Sequence, residues 1–143
     1  MKQLVRLFIG VLLASFIYVG LGGVTSAQDK ATDAKATPAF TRTVLQKVDT
    51  SVPGREAVQI TAEFPAGVGT GKHTHPGEEV GYVLQGPFTF EVAGKPPMTL
   101  KTGDHFFVPA GTIHEGKNSG NANAKVLVTY ILEKGKPLAT PAK

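Results

Sequence analysis

GVGTGKHTHPGEEVGYVLQG, residues 67–86, and GDHFFVPAGTIHEGKN, residues 103–118, are two short segments dense in glycine and histidine, set sixteen residues apart. In an extended chain, side chains two apart share a face, so His73 and His75 project two imidazoles in one direction. The Pro76-Gly77 turn lets the chain bend into a second extended run, Glu78 to Gln85, with Glu79 at its start. In the second segment His114 follows a tight turn, Pro109-Ala110-Gly111. Imidazole nitrogens and a carboxylate oxygen suit divalent Mn, Fe, Co, Ni, Cu and Zn, so three histidines and one glutamate make a plausible donor set. Four protein donors on a six-coordinate ion leave two positions for water, O2 or a small organic molecule, as a catalytic site requires. His73 and His75 alone would carry little weight, since paired surface histidines arise by chance.

Taken together, the two segments resemble the two signature motifs of the cupin superfamily, and the chain resembles a small single-domain cupin, a monocupin of the type-2 kind. The resemblance covers Arg42 to Glu133 and rests on ten matching positions. It places His73, His75, Glu79 and His114 on the family's four metal positions, and Gly67, Gly86, Gly103, Pro109, Gly111 and Asn118 on its turn positions. It implies a divalent transition metal, Fe, Mn, Zn, Ni or Cu. The six turn residues read as structural.

The rest of the domain has a period of two. Ile60, Ala62 and Phe64 alternate with Gln59, Thr61 and Glu63 within a strand from Arg55 to Phe64. Further strands are expected at 44–48, 80–84, 88–93, 98–101, 105–108 and 124–132, each bounded by Gly, Pro or Asn. No window of ten residues after the first 27 carries a helical stripe. Many short strands with frequent turns predict an all-β sandwich or barrel. The resemblance sharpens this to the cupin double-stranded β-helix, or jelly-roll barrel.

Met1 to Ala27 reads as a secretory signal. Lys2 and Arg6 lead an apolar run, Leu7 to Leu21, and Thr25-Ser26-Ala27 offers small residues for cleavage. The alternative is an uncleaved anchor, because the run approaches spanning length. Cleavage implies export, to a bacterial periplasm in the simplest case, with no lasting membrane anchor. Residues 28–41 read as a flexible linker, 42–133 as the domain and 134–143 as a disordered tail. The chain has no cysteine, so an exported domain here relies on its core and on any metal it binds.

Without Lys2 and Arg6, 13 basic residues face 11 acidic ones, a net charge of +2. No basic stripe with interleaved aromatics is present, so nucleic acid is not an expected partner. Arg42 and Arg55 both lie outside the two motif segments, which disfavours phosphorylated substrates. No nucleophile elbow supports a serine hydrolase.

Alternation from Glu79 sends Gly81, Val83 and Gln85 inward and Glu78, Val80, Tyr82 and Leu84 outward. From His114 it sends Gly116 inward. Gly81 and Gly116 therefore either leave a gap for a small ligand or accommodate a crowded interior. His105 alternates with Phe106, so one of them faces in; His105 is a surface histidine or a proton-transfer group beside the pocket. Gln85, Phe88 and Tyr130 are further pocket candidates. Members of the family resembled include dioxygenases, oxalate-processing enzymes, sugar isomerases and proteins that only bind small molecules. Two classes survive: a metal-dependent oxygenase or oxidase, slightly favoured, and a non-catalytic metal or small-ligand binding protein. Family resemblance also suggests a homodimer, through the strand around Val44 or the outward face carrying Tyr82.

Overall fold

The computed structural model describes residues 39–143; the expected signal segment and most of the expected linker lie outside the described residues. Every regular element among the described residues is a strand. In chain order they are β1 (Thr41–Asp49), β2 (Arg55–Phe64), β3 (His73–Thr74), β4 (Gly77–Gln85), β5 (Phe88–Val92), β6 (Met98–Leu100), β7 (His105–Val108), β8 (His114–Asn118), β9 (Ala124–Glu133) and β10 (Thr140–Pro141). They form two five-stranded antiparallel sheets, ordered β1-β2-β9-β4-β7 and β10-β3-β8-β5-β6. This is the double-stranded β-helix that the resemblance implies, and every strand expected from the alternation is present.

Alternation drives the packing. Along β2 and β9 every second residue is buried, and the two strands pair over their whole lengths, Arg55 opposite Glu133 and Phe64 opposite Ala124. Ile60, Phe64, Val83, Phe88, Phe106 and Val128 therefore meet between the sheets as one apolar core. Each such side chain contributes about 1.5–3 kcal/mol by leaving water.

The motif turns are structural, as read. Gly103 and Gly111 adopt φ of +95° and +72°, a region that side chains with a Cβ enter only with strain. Asn118 is completely buried and fully hydrogen-bonded: its amide donates to the Phe64 and Ala122 carbonyls, both at 2.7 Å, and its oxygen accepts from the Gly120 amide at 2.8 Å. It ties the end of β2 to the β8–β9 turn. Asn118→Ala strips three bonds of about 1 kcal/mol each and should lower the melting temperature by roughly 15 °C, readable by calorimetry.

Two expectations need correction. Residues 134–143 are ordered rather than a free tail: β10 pairs with β3, the Ala142 amide donates to the Lys72 carbonyl at 2.9 Å, and Leu138 packs on the core. A two-residue strand is too short to show a period, which is why the pattern was silent there. Gln85 does not point inward. A bulge between Val83 and Gln85 breaks the alternation and leaves Gln85 exposed.

Candidate metal centre

The three motif histidines and Glu79 meet between the two sheets. His73 lies on β3 directly opposite His114 of β8, and His75 follows one residue after β3. Glu79 comes from the other sheet, on the inward side of β4. The turn at Pro76-Gly77 is what carries the chain from one layer to the other. One ring nitrogen from each histidine lies within 4.8 Å of the others, so the cluster could hold a metal ion. Glu79 Oε2 lies 2.8 Å from His114 Nε2 and 3.3 Å from His75 Nε2.

The outer nitrogen of each ring is already committed. His73 Nδ1 donates to the Gly71 carbonyl at 2.8 Å, His114 Nδ1 to the Thr112 carbonyl at 2.9 Å, and His75 Nδ1 to the Leu138 carbonyl. A carbonyl only accepts, so each Nδ1 carries the proton and each Nε2 turns its lone pair toward the common centre. Nε2 of His75 and His114 and Oε2 of Glu79 are buried without a hydrogen-bond partner of proper geometry. Electron-rich atoms this close repel unless positive charge lies among them.

The titrations agree. Burial alone would raise the Glu79 carboxyl, but the close nitrogens of His114 and His75 outweigh it and bring it down to about 2, so Glu79 is ionised. Burial disfavours charging His114, yet Glu79 and then the Thr112 carbonyl prevail and raise it above its ordinary value. A metal ion, or a second proton on His114, would supply the positive charge that these atoms call for. His73 moves the other way, lowered by burial and by its two histidine neighbours.

His73, Glu79 and His114 border a cavity of about 30 Å³, walled by Phe88, Phe90, Phe106 and Tyr130. That is room for two or three water-sized groups, at about 10–15 Å³ each. Burial, then the Glu79 charge, push the Tyr130 hydroxyl up and keep it protonated, against a smaller opposing effect from Arg42. A model of the cupin domain matches residues 60–130, and the topology and motif positions agree with it. The domain is a cupin.

Over 51 residues this cupin is 44% identical to dimethylsulfoniopropionate lyase DddQ of Ruegeria pomeroyi, spanning 36% of this chain and 25% of that protein. Over 71 residues it is 37% identical to the oxalate-binding protein of Thermotoga maritima, spanning 49% and 58% of the two chains. It thus spans from a quarter to just over half the length of these relatives. The crystal structure of DddQ superposes with a TM-score of 0.60 at 25% identity, covering 72% of this chain and 51% of that one. Oxalate oxidase in complex with glycolate superposes with a TM-score of 0.60 at 21% identity, covering 74% and 57%, a likeness of fold.

The cupin sandwich places the remaining candidates as follows. Gly81 and Gly116 do face inward, but they leave no gap: a Cβ on Gly81 would overlap the Phe106 ring, and one on Gly116 the Phe88 ring. The crowded-interior reading holds, because these glycines make room for aromatic walls. His105 is exposed while Phe106 is buried, which removes His105 from the site. Glu78 lies on the opposite face from Glu79. Phe88 and Tyr130 do line the cavity.

Two contributors fall outside the motif segments. Leu138 supplies the carbonyl that orients His75, and its only sequence signal is a lone apolar residue after Pro137. Arg42 borders the cavity although it stands 31 residues before His73. Its register opposite buried Ala62, on the inward side of β2, is the signal that would have found it.

Proposed function

We propose that His73, His75, Glu79 and His114 hold a divalent transition metal, Fe, Mn, Zn, Ni or Cu, and that this cupin is a metal-dependent oxygenase or oxidase of a small organic substrate. The observation that carries the reading is the set of buried, unpartnered Nε2 and Oε2 atoms facing one another behind anchored Nδ1 atoms. The bound ion would act as Lewis acid or electron relay. The phenylalanine walls exclude water and strengthen every electrostatic contact inside. The Tyr130 hydroxyl offers a proton-bearing donor in the same cavity. An exported location, expected from residues 1–27, is part of the proposal.

A second reading is a non-catalytic metal or small-ligand binding cupin. It is favoured by the cavity's lack, among the described residues, of an acid or base beyond Tyr130 and the proposed donors, and by the likeness to the Thermotoga oxalate-binding protein. Elemental analysis of protein from its native compartment, followed by oxygen uptake of Fe- and Mn-loaded samples, separates the two. The panel is flavonols, catechols, β-diketones and oxalate, with dimethylsulfoniopropionate cleavage assayed alongside. Turnover supports the enzyme; silence across the panel with tight binding supports the binder; absence of any metal defeats the enzyme and leaves only a metal-free binder.

Below its raised pKa, His114 must lose a proton before it can hold an ion. Zinc affinity should therefore fall about tenfold per unit as pH drops below the raised His114 pKa, and level off above it. Competition with a chromophoric chelator across that range reads the slope, and a flat profile contradicts the assignment.

The proposed partner for the exposed Val44, Leu45 and Val48 of β1 is a second copy of this chain. Among the described residues β1 pairs only with β2, so no described strand covers its other edge. Light scattering tests this: a Val44→Lys, Val48→Lys variant should be monomeric where the parent chain is dimeric.

A further inference from the structure

Arg42 carries a charge that no residue of the described structure neutralises. None of the ion pairs among the described residues includes it. Its guanidinium carbon stands 5.3 Å from the centre of the Phe40 ring, and Phe40 in turn stacks on buried Phe64 at 5.0 Å. A guanidinium held over an aromatic ring without an ion-pair partner keeps N–H groups available for an incoming anion.

Its position is what distinguishes it from an ordinary surface arginine. Arg42, Phe40, Thr70 and His73 border the inner cavity and also a second hollow of about 160 Å³. The outer hollow is completed by Lys72, Ala139 and Pro141. The two spaces adjoin at these four residues, and among the described residues the charged side chains of the outer one, Arg42 and Lys72, are both positive. The inner cavity takes only two or three heavy groups, so anything longer must leave its far end in the outer hollow.

We propose that Arg42 recognises the outer carboxylate of a short organic diacid whose other end occupies the inner cavity, with Lys72 adding a positive field at the entrance. This rests on the reading of the four-residue cluster as the ligand centre. Arg42 is a binding and specificity residue here. The planar fork matters more than the charge, because it meets both carboxylate oxygens.

The test uses the full zinc-loaded chain, with Arg42→Met and Arg42→Lys variants whose metal content is measured on the same samples. Calorimetric titration with oxalate, malonate and succinate, and with malonamate as the half-amide control, gives the outcome. The expected result is tenfold or greater weakening of the best diacid in Arg42→Met, an intermediate loss in Arg42→Lys, and less than twofold change for malonamate. Diacid binding that ignores Arg42, or an equal loss for malonate and malonamate, overturns the inference, as does failure of the parent chain to bind any of the three. Inorganic phosphate binding more tightly than the acids, in an Arg42-dependent way, overturns the carboxylate class. A parent chain that holds no metal defeats the reading of the centre, whereas a metal-loaded chain indifferent to Arg42 defeats only this assignment.

Discussion

His114→Ala should lose two to three orders of magnitude of affinity for zinc. Four-donor zinc sites bind with about 10–16 kcal/mol, so one donor accounts for about 3–4, and each 1.4 kcal/mol is tenfold. The loss falls at the upper end because His114 also serves Glu79. Its Nε2 is 2.8 Å from the carboxylate and is the first of the groups that hold that acid down at about 2. Without it the buried Glu79 carboxyl rises, and protonation begins to compete with metal there too. The sign follows for the chain without metal: the Glu79 contribution to stability is present above the ordinary 4.5 and lost as pH falls toward about 2, so in His114→Ala, with the folded pKa raised, the contribution is smaller and is exhausted at a higher pH. Chelator competition measures the affinity and acid unfolding the stability. His105→Ala is the matched control, an exposed histidine on β7 whose removal should leave both within twofold. Equal affinities for His114→Ala and the parent chain would remove the proposed centre.

Ending the chain after Pro137 should weaken metal binding by about 10–100-fold, the usual effect of losing a partner that orients a metal-bound histidine. The six residues removed include the Leu138 carbonyl that accepts from His75 Nδ1 and the strand β10 that pairs with His73 and Thr74. Without the carbonyl the His75 ring can turn or change tautomer, and either moves its lone pair off the centre. Leu138→Ala separates this from a general loss of packing. It trims an apolar contact with the core but keeps the backbone carbonyl. It should lower the melting temperature by a few degrees, at about 4–8 °C per kcal/mol, while leaving metal affinity nearly unchanged. If truncation costs stability but not affinity, the segment supports the sheet edge and does not position His75.

Strand phase is a local property that a linear pattern records, so it set His73 and His75 on one face, whereas grouping them with Glu79 and His114 came from the resemblance of the two motif segments to the cupin signatures. Strand phase likewise marks β2 and β9, whose alternation is uninterrupted over ten residues each. What escaped depends on distant pairings. The bulge that turns Gln85 outward is a mismatch between β4 and β9, invisible in either strand alone. The space beside Gly81 and Gly116 is decided by rings arriving from β7 and β5. Arg42 looked remote along the chain, yet pairing of β1 with β2 sets it at the cavity rim. The last ten residues are too polar and too short in strand to declare themselves, and only their partner β3 gives them order.

His73 and His114 belong to one sheet, while Glu79 belongs to the other. An ion gripped by all of them would act as a removable rivet through a chain without cysteine, coupling the layers at one end as a disulfide does elsewhere. Amide exchange in β3, β4 and β8 would then slow together on loading, and metal supply in the surrounding compartment would set how long the folded domain survives proteolysis.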